Sequence, residues 1–138
     1  MAQIDALLEE VLKRKGSDLH LIAGDPPRVR RYGDLAPLSN EPLTADFVKQ
    51  ALYEIMPRKS VERFEAHDGA DFAYALAGHG RFRVNVLRQI AGMGAVFRAI
   101  PSSALTLEQL KMPPAVHQLC RSSNGLILVT GKTGSGKS

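Results

Sequence analysis

Ile4, Leu7, Leu8, Val11 and Leu12 recur at helical spacing along the start of the chain, and that spacing predicts an amphipathic helix. Lys13-Arg14-Lys15 supplies a basic last turn and Gly16 a stop. The period then changes. Asp18-Leu19-His20-Leu21-Ile22 alternates like a short strand, Ala23-Gly24-Asp25-Pro26-Pro27 breaks it, and Arg28 to Tyr32 alternates again before Gly33-Asp34. A hairpin-like pair of strands is the natural reading.

Thr44 and Asp46 open a second helical stripe of Val48, Ala51, Leu52, Ile55 and Met56. Pro57 opens a third helix with Val61 and Phe64 inward. Two alternating runs follow, Phe72, Tyr74, Leu76 and, after the turn Gly78-His79-Gly80, Phe82, Val84, Val86; Gly94 to Ile100 gives a third strand of the group. Pro101-Ser102-Ser103 has linker composition. Thr106-Leu107-Glu108-Gln109 has the form of a capping box opening a short helix, and Pro113-Pro114 starts another, running to about Cys120. The expected class is therefore α+β, with a mostly antiparallel sheet in residues 1–100, a linker with short helices over 101–124, and the start of a further domain over 125–138.

Composition narrows the function. The chain has 138 residues, one cysteine (Cys120) and a formal net charge of +4. No disulfide framework is available, which fits a reducing compartment. The four histidines have no metal-ligand spacing. The N-terminus does not have the form of a signal peptide, and no apolar run reaches membrane-span length. A cytoplasmic location is expected. The basic residues are scattered rather than blocked, so an anionic partner is indicated only weakly. Nothing in the pattern points to nucleic acid.

The strongest chemistry lies in the last eight residues, Gly131-Lys132-Thr133-Gly134-Ser135-Gly136-Lys137-Ser138, which match G-x-x-x-x-G-K-[ST]. Gly131, Gly134 and Gly136 admit close backbone approach and positive φ, so that amides can converge on phosphate oxygens. In this pattern Lys137 carries charge to the β- and γ-phosphates and the Ser138 hydroxyl holds Mg²⁺. The preceding Leu126-Ile127-Leu128-Val129-Thr130 is continuously apolar, as a parallel strand covered on both faces would be. ATP with Mg²⁺ is the expected ligand. The alternative is a glycine-rich tail with no ligand.

A second candidate group is cationic. If Phe82, Val84 and Val86 face a core, Arg81, Arg83 and Asn85 share the opposite face, with Arg98 on the next strand. Guanidinium groups so placed can engage a phosphate or carboxylate bidentately. Spacing alone favours a solvated strand face, since exposed charge is the usual case.

The order of these segments carries a resemblance. Ser17-Asp18-Leu19-His20-Leu21, Gly80-Arg81-Phe82-Arg83-Val84-Asn85, Gly94-Ala95-Val96-Phe97-Arg98, Leu105-Thr106-Leu107-Glu108-Gln109-Leu110 and the run from Gly125 to Ser138 occur in sequence. Together they resemble the type IV pilus retraction ATPases of the secretion-ATPase superfamily, over essentially the whole chain. The resemblance implies a PAS-like N-terminal domain followed by a RecA-like ATPase domain. It implies a homohexameric ring at the cytoplasmic base of a pilus machine, working with the inner-membrane platform and pilin machinery and peripheral to the membrane at most. It also implies that Arg81, Arg83 and Arg98 approach the ATP phosphates. Lys132 departs from the proline usual at that variable position. The Walker B acid, catalytic glutamate and histidine box of such enzymes are expected beyond Ser138, so the 138 residues alone are expected to be inactive. Asp18 and His20 match the resemblance too, but spacing gives them no chemical role, and they stand outside the candidate site. Two other functions remain open: an oligomerisation or docking module without catalysis, and an accessory pilus motor.

Overall fold

In the computed structural model, residues 2–101 and 106–131 are described. Contacts divide the chain into two units, Met1–Ser102 and Ser103–Ser138. The first unit is built from α1 (Asp5–Lys13), β1 (Asp18–Ile22), β2 (Arg28–Arg31), β3 (Asp34–Pro37), α2 (Ala45–Ile55), α3 (Arg58–His67), β4 (Gly69–Leu76), β5 (Gly80–Gln89) and β6 (Gly92–Ile100). All strands pair antiparallel in one sheet of order β3-β2-β1-β6-β5-β4. The α+β class is as the sequence implies.

The alternation in β5 explains how the sheet is covered. Phe82, Val84 and Val86 are fully buried and join Phe97, Leu19 and Val29 from neighbouring strands. The same cluster takes in Leu8 and Val11 of α1, Val48 and Leu52 of α2, and Phe64 of α3. Three amphipathic helices thus pack on one face of the sheet. The opposite face, bearing the other parity of every strand, stays uncovered by helices within this unit.

Two backbone details correct the sequence reading. The left-handed residue that ends α1 is Lys15 (φ 54°), not Gly16. Gly16 N–H donates to Val11 O and Lys15 N–H to Leu12 O, the paired bonds of a Schellman ending. Gly16 is needed for a different reason, since a Cβ there would lie 2.3 Å from Val29 Cγ2. The second detail is β3, which no alternation announces because all four residues are exposed. It is made by the two-residue turn Tyr32-Gly33, both with positive φ, which folds the chain back onto β2.

In the second unit Thr106 and Gln109 do form the expected reciprocal cap: Thr106 N–H donates to Gln109 Oε1 and Gln109 N–H to Thr106 Oγ1. The turn is not extended into a helix, because Lys111 takes a positive φ of 53°. Helix α4 (Pro114–Leu119) follows. The run 126–130, expected as a strand, pairs with no described residue, and Leu126, Ile127, Leu128 and Val129 are exposed. A parallel strand exists only through its ladder partners, and the described residues offer it none. Of the phosphate-loop candidates, Gly131 is described. Lys132, Thr133, Gly134, Ser135, Gly136, Lys137 and Ser138 lie outside the described residues.

Candidate functional site: the open face of the sheet

Sheet register assembles the cationic group. Arg83 lies opposite Arg98 across β5–β6, Arg98 opposite Asp18 across β6–β1, and Asp18 opposite Arg30 across β1–β2. The next row holds Asp71, Asn85, Val96, His20 and Arg28. One row closer to the β4–β5 turn, Arg81 faces Ile100. Sequence reasoning placed Arg81, Arg83 and Arg98 on one face, and the structure brings them to adjacent positions there.

Like charges directly opposite one another destabilise a strand pair. Arg83 and Arg98 tolerate it because each has an acidic neighbour, but the two neighbours differ. Arg83 Nη2 stands 3.5 Å from Asp71 Oδ1, with both side chains largely in water, a contact of little net worth. Arg98 Nε donates to Asp18 Oδ1 at 2.9 Å, and the Asp18 side chain is only 5% exposed while that of Arg98 is 68% exposed. The other Asp18 oxygen accepts from Ser17 Oγ at 2.7 Å and lies 3.9 Å from Arg30 Nε. A buried carboxylate therefore anchors a guanidinium that projects into solvent.

Other cations of the face are committed elsewhere. Arg28 grips Asp25 with two bonds of 2.7 and 2.9 Å, and Arg30 Nη1 donates to Gly33 O. Arg81 makes no ion pair among the described residues. Asp71, Arg83, Asn85, Val96 and Arg98 line an open depression of ≈ 360 Å³. Its donors are guanidinium and amide groups, which suit an anion with several oxygens. Beside it, His20 Nε2 is buried without a hydrogen-bond partner among the described residues. Burial lowers the His20 pKa and Arg30 adds to the effect; Asp18 opposes it.

Asp18 is the residue that sequence reasoning left out. The signal was present: with Leu19 and Leu21 inward, Asp18 and His20 share the arginines' face. What local alternation could not supply was the pairing of β1 with a strand 80 residues away.

Comparison with known proteins adds the context. A profile described as Type II/IV secretion system protein matches residues 1–138. The chain belongs to that family. Among its relatives, the type IV pilus retraction ATPase PilT of Pseudomonas aeruginosa is 44% identical over 135 residues, covering 98% of this chain and 39% of the relative. A twitching motility protein of Neisseria gonorrhoeae is 37% identical over 117 residues, or 85% of this chain and 31% of that one. A crystal structure of the retraction motor PilT with bound ADP superimposes with a TM-score of 0.83 at 37% identity, covering 99% of this chain and 40% of the other. The Legionella pneumophila ATPase DotB shares the fold at a TM-score of 0.82 and 23% identity. This secretion-family chain thus spans about two-fifths or less of the length of these relatives. Among its described residues no helix is long and apolar enough to cross a membrane.

Proposed function

We propose that the chain is the nucleotide-facing front part of a hexameric motor ATPase that couples ATP hydrolysis to pilus retraction. In this reading the phosphate loop, Gly131 to Ser138, holds the triphosphate. The backbone amides and Lys137 contact the phosphates, and the Ser138 hydroxyl is a ligand for Mg²⁺. Bound Mg²⁺ would supply positive charge that stabilises the transferring phosphoryl group. The open sheet face supplies cations for the phosphates of a nucleotide. Arg83 and Arg98, with Arg81 at the margin, offset the charge that develops as the γ-phosphoryl group departs.

The observation that carries the reading is the open face itself. Two arginines stand opposite each other over a depression whose lining is rich in donors, in a family where a relative of 37% identity was crystallised with ADP. Two guanidinium groups facing each other on an exposed sheet face fit a site that takes an anion.

The test is steady-state hydrolysis of MgATP by the full-length protein. Lys137→Ala should reduce turnover by at least about a hundredfold, the scale of losing a principal charge contact in the transition state. Unchanged turnover would refute the proposal.

A further inference from the structure

Arg98 hydrogen-bonds the buried Asp18 carboxylate at 2.9 Å, where Arg30 stands 3.9 Å away, and the anchor uses only part of its guanidinium. The bond to Asp18 Oδ1 is made by Nε. Neither Nη of Arg98 donates to a described residue, although the side chain is 68% exposed. Guanidinium is planar, so fixing one edge fixes the direction of the other. Asp18 is itself held: it is buried, it accepts from Ser17 Oγ, and it sits in the middle of the sheet between β2 and β6.

We infer that Asp18 is a positioning residue for the site, holding Arg98 by Nε so that its two free Nη groups present a preset fork to the terminal phosphate of a nucleoside triphosphate. This rests on the reading of the open face as a phosphate site and assigns a role to a residue that does not itself touch the ligand. The physical gain is preorganisation. An arginine on an exposed strand samples many rotamers, and ordering one on binding is unfavourable. An arginine already oriented avoids that cost and lies within reach when charge develops. Arg83, held only by a long, solvated contact to Asp71, has no comparable anchor. The two arginines therefore differ in kind: Arg98 is preset and Arg83 is free to adjust.

The test uses the full-length protein and compares kcat and KM for MgATP in the wild type, Asp18→Asn, Arg98→Ala, the double variant, and Arg98→Lys. Thermal midpoints are recorded for each. Asp18→Asn keeps the shape and removes the charge that orients Nε. It should lower kcat/KM by at least about tenfold, with most of the loss in kcat. The double variant should match Arg98→Ala alone, because an anchor with nothing to hold has no further effect. Arg98→Lys keeps the charge but has no second edge, so it should resemble Arg98→Ala and serves as the test if Asp18→Asn folds poorly. The inference is overturned if Asp18→Asn turns over normally, if its loss multiplies with that of Arg98→Ala, or if Arg98→Lys retains wild-type activity. Should Lys137→Ala abolish turnover while these results go against Asp18, the motor reading stands and only the positioning role fails. Should Lys137→Ala be fully active, both fall.

Discussion

Tyr74→Phe deletes one hydroxyl and leaves the ring. That hydroxyl donates to Asp5 Oδ1 at 2.6 Å, joining β4 to the first turn of α1 across 69 positions of sequence. Asp5 is 6% exposed, and its other oxygen accepts from Ala2 N–H at 2.8 Å. The variant would leave a buried carboxylate with one of these two donors. A hydrogen bond to a charged group is worth about 1.5–3 kcal/mol. Apolar burial is unchanged, so about 2 kcal/mol is the expected loss. In a unit of roughly a hundred residues each kcal/mol moves the thermal midpoint by about 4–8 °C. Tyr74→Phe should therefore melt about 8–16 °C below the wild type. Urea unfolding of the wild type, Tyr74→Phe, Asp5→Asn and the double variant measures the coupling directly. A loss below about 0.5 kcal/mol, the size of an ordinary surface substitution, would refute this reasoning. The same contact has an alkaline signature. Burial, followed by the bond to Asp5, pushes the Tyr74 pKa from 10.0 up to about 12. The folded protein then holds the phenolic proton more tightly than the unfolded chain does. The contribution is intact below pH 10 and is lost as pH rises toward 12. The phenylalanine variant should lack this part of the alkaline decline.

Two further outcomes test the fold around the open face. His20 has its pKa lowered from 6.5, chiefly by burial, so at acid pH the unfolded chain takes up a proton that the folded one resists. Stability should fall as pH drops below 6.5 through the lowered folded value, and His20→Asn should flatten that fall in urea titrations between about pH 7 and 5. Gly16→Ala places a Cβ 2.3 Å from Val29 Cγ2. It should cost about 1–3 kcal/mol by overpacking, read as a lower urea midpoint with an unchanged slope; a neutral result would mean that β2 moves aside freely.

What was legible in the sequence follows from physics that is local. Strands with one buried face, such as β5, announce themselves because Phe82, Val84 and Val86 must point inward and so fix where Arg81 and Arg83 go. Helices α1 and α2 are similarly legible from their stripes, and the Thr44 side chain caps Phe47 N–H as its position suggests. Strand β3 left no trace, since a fully exposed edge of four residues imposes no alternation. The end of α1 was assigned to the wrong residue because glycine invites a conformational explanation, whereas the demand at Gly16 is steric. The apolar run 126–130 reads as a strand, yet apolarity specifies burial and not a partner. At the candidate site, the arginines could be read from parity within a strand. Asp18 could not, because its meaning depends on β1 lying beside β6, a long-range pairing that no local pattern encodes.

The most direct measurement is MgATP turnover by the full-length protein carrying Arg83→Ala together with Arg98→Ala, set against Arg58→Ala. Arg58 is an equally cationic residue whose side chain is 93% exposed on α3, a helix packed behind the sheet. The double variant should lose at least about a hundredfold in kcat while keeping its thermal midpoint within a few degrees, and Arg58→Ala should be indistinguishable from the wild type. Full activity in the double variant would show that the open face does not serve the phosphates.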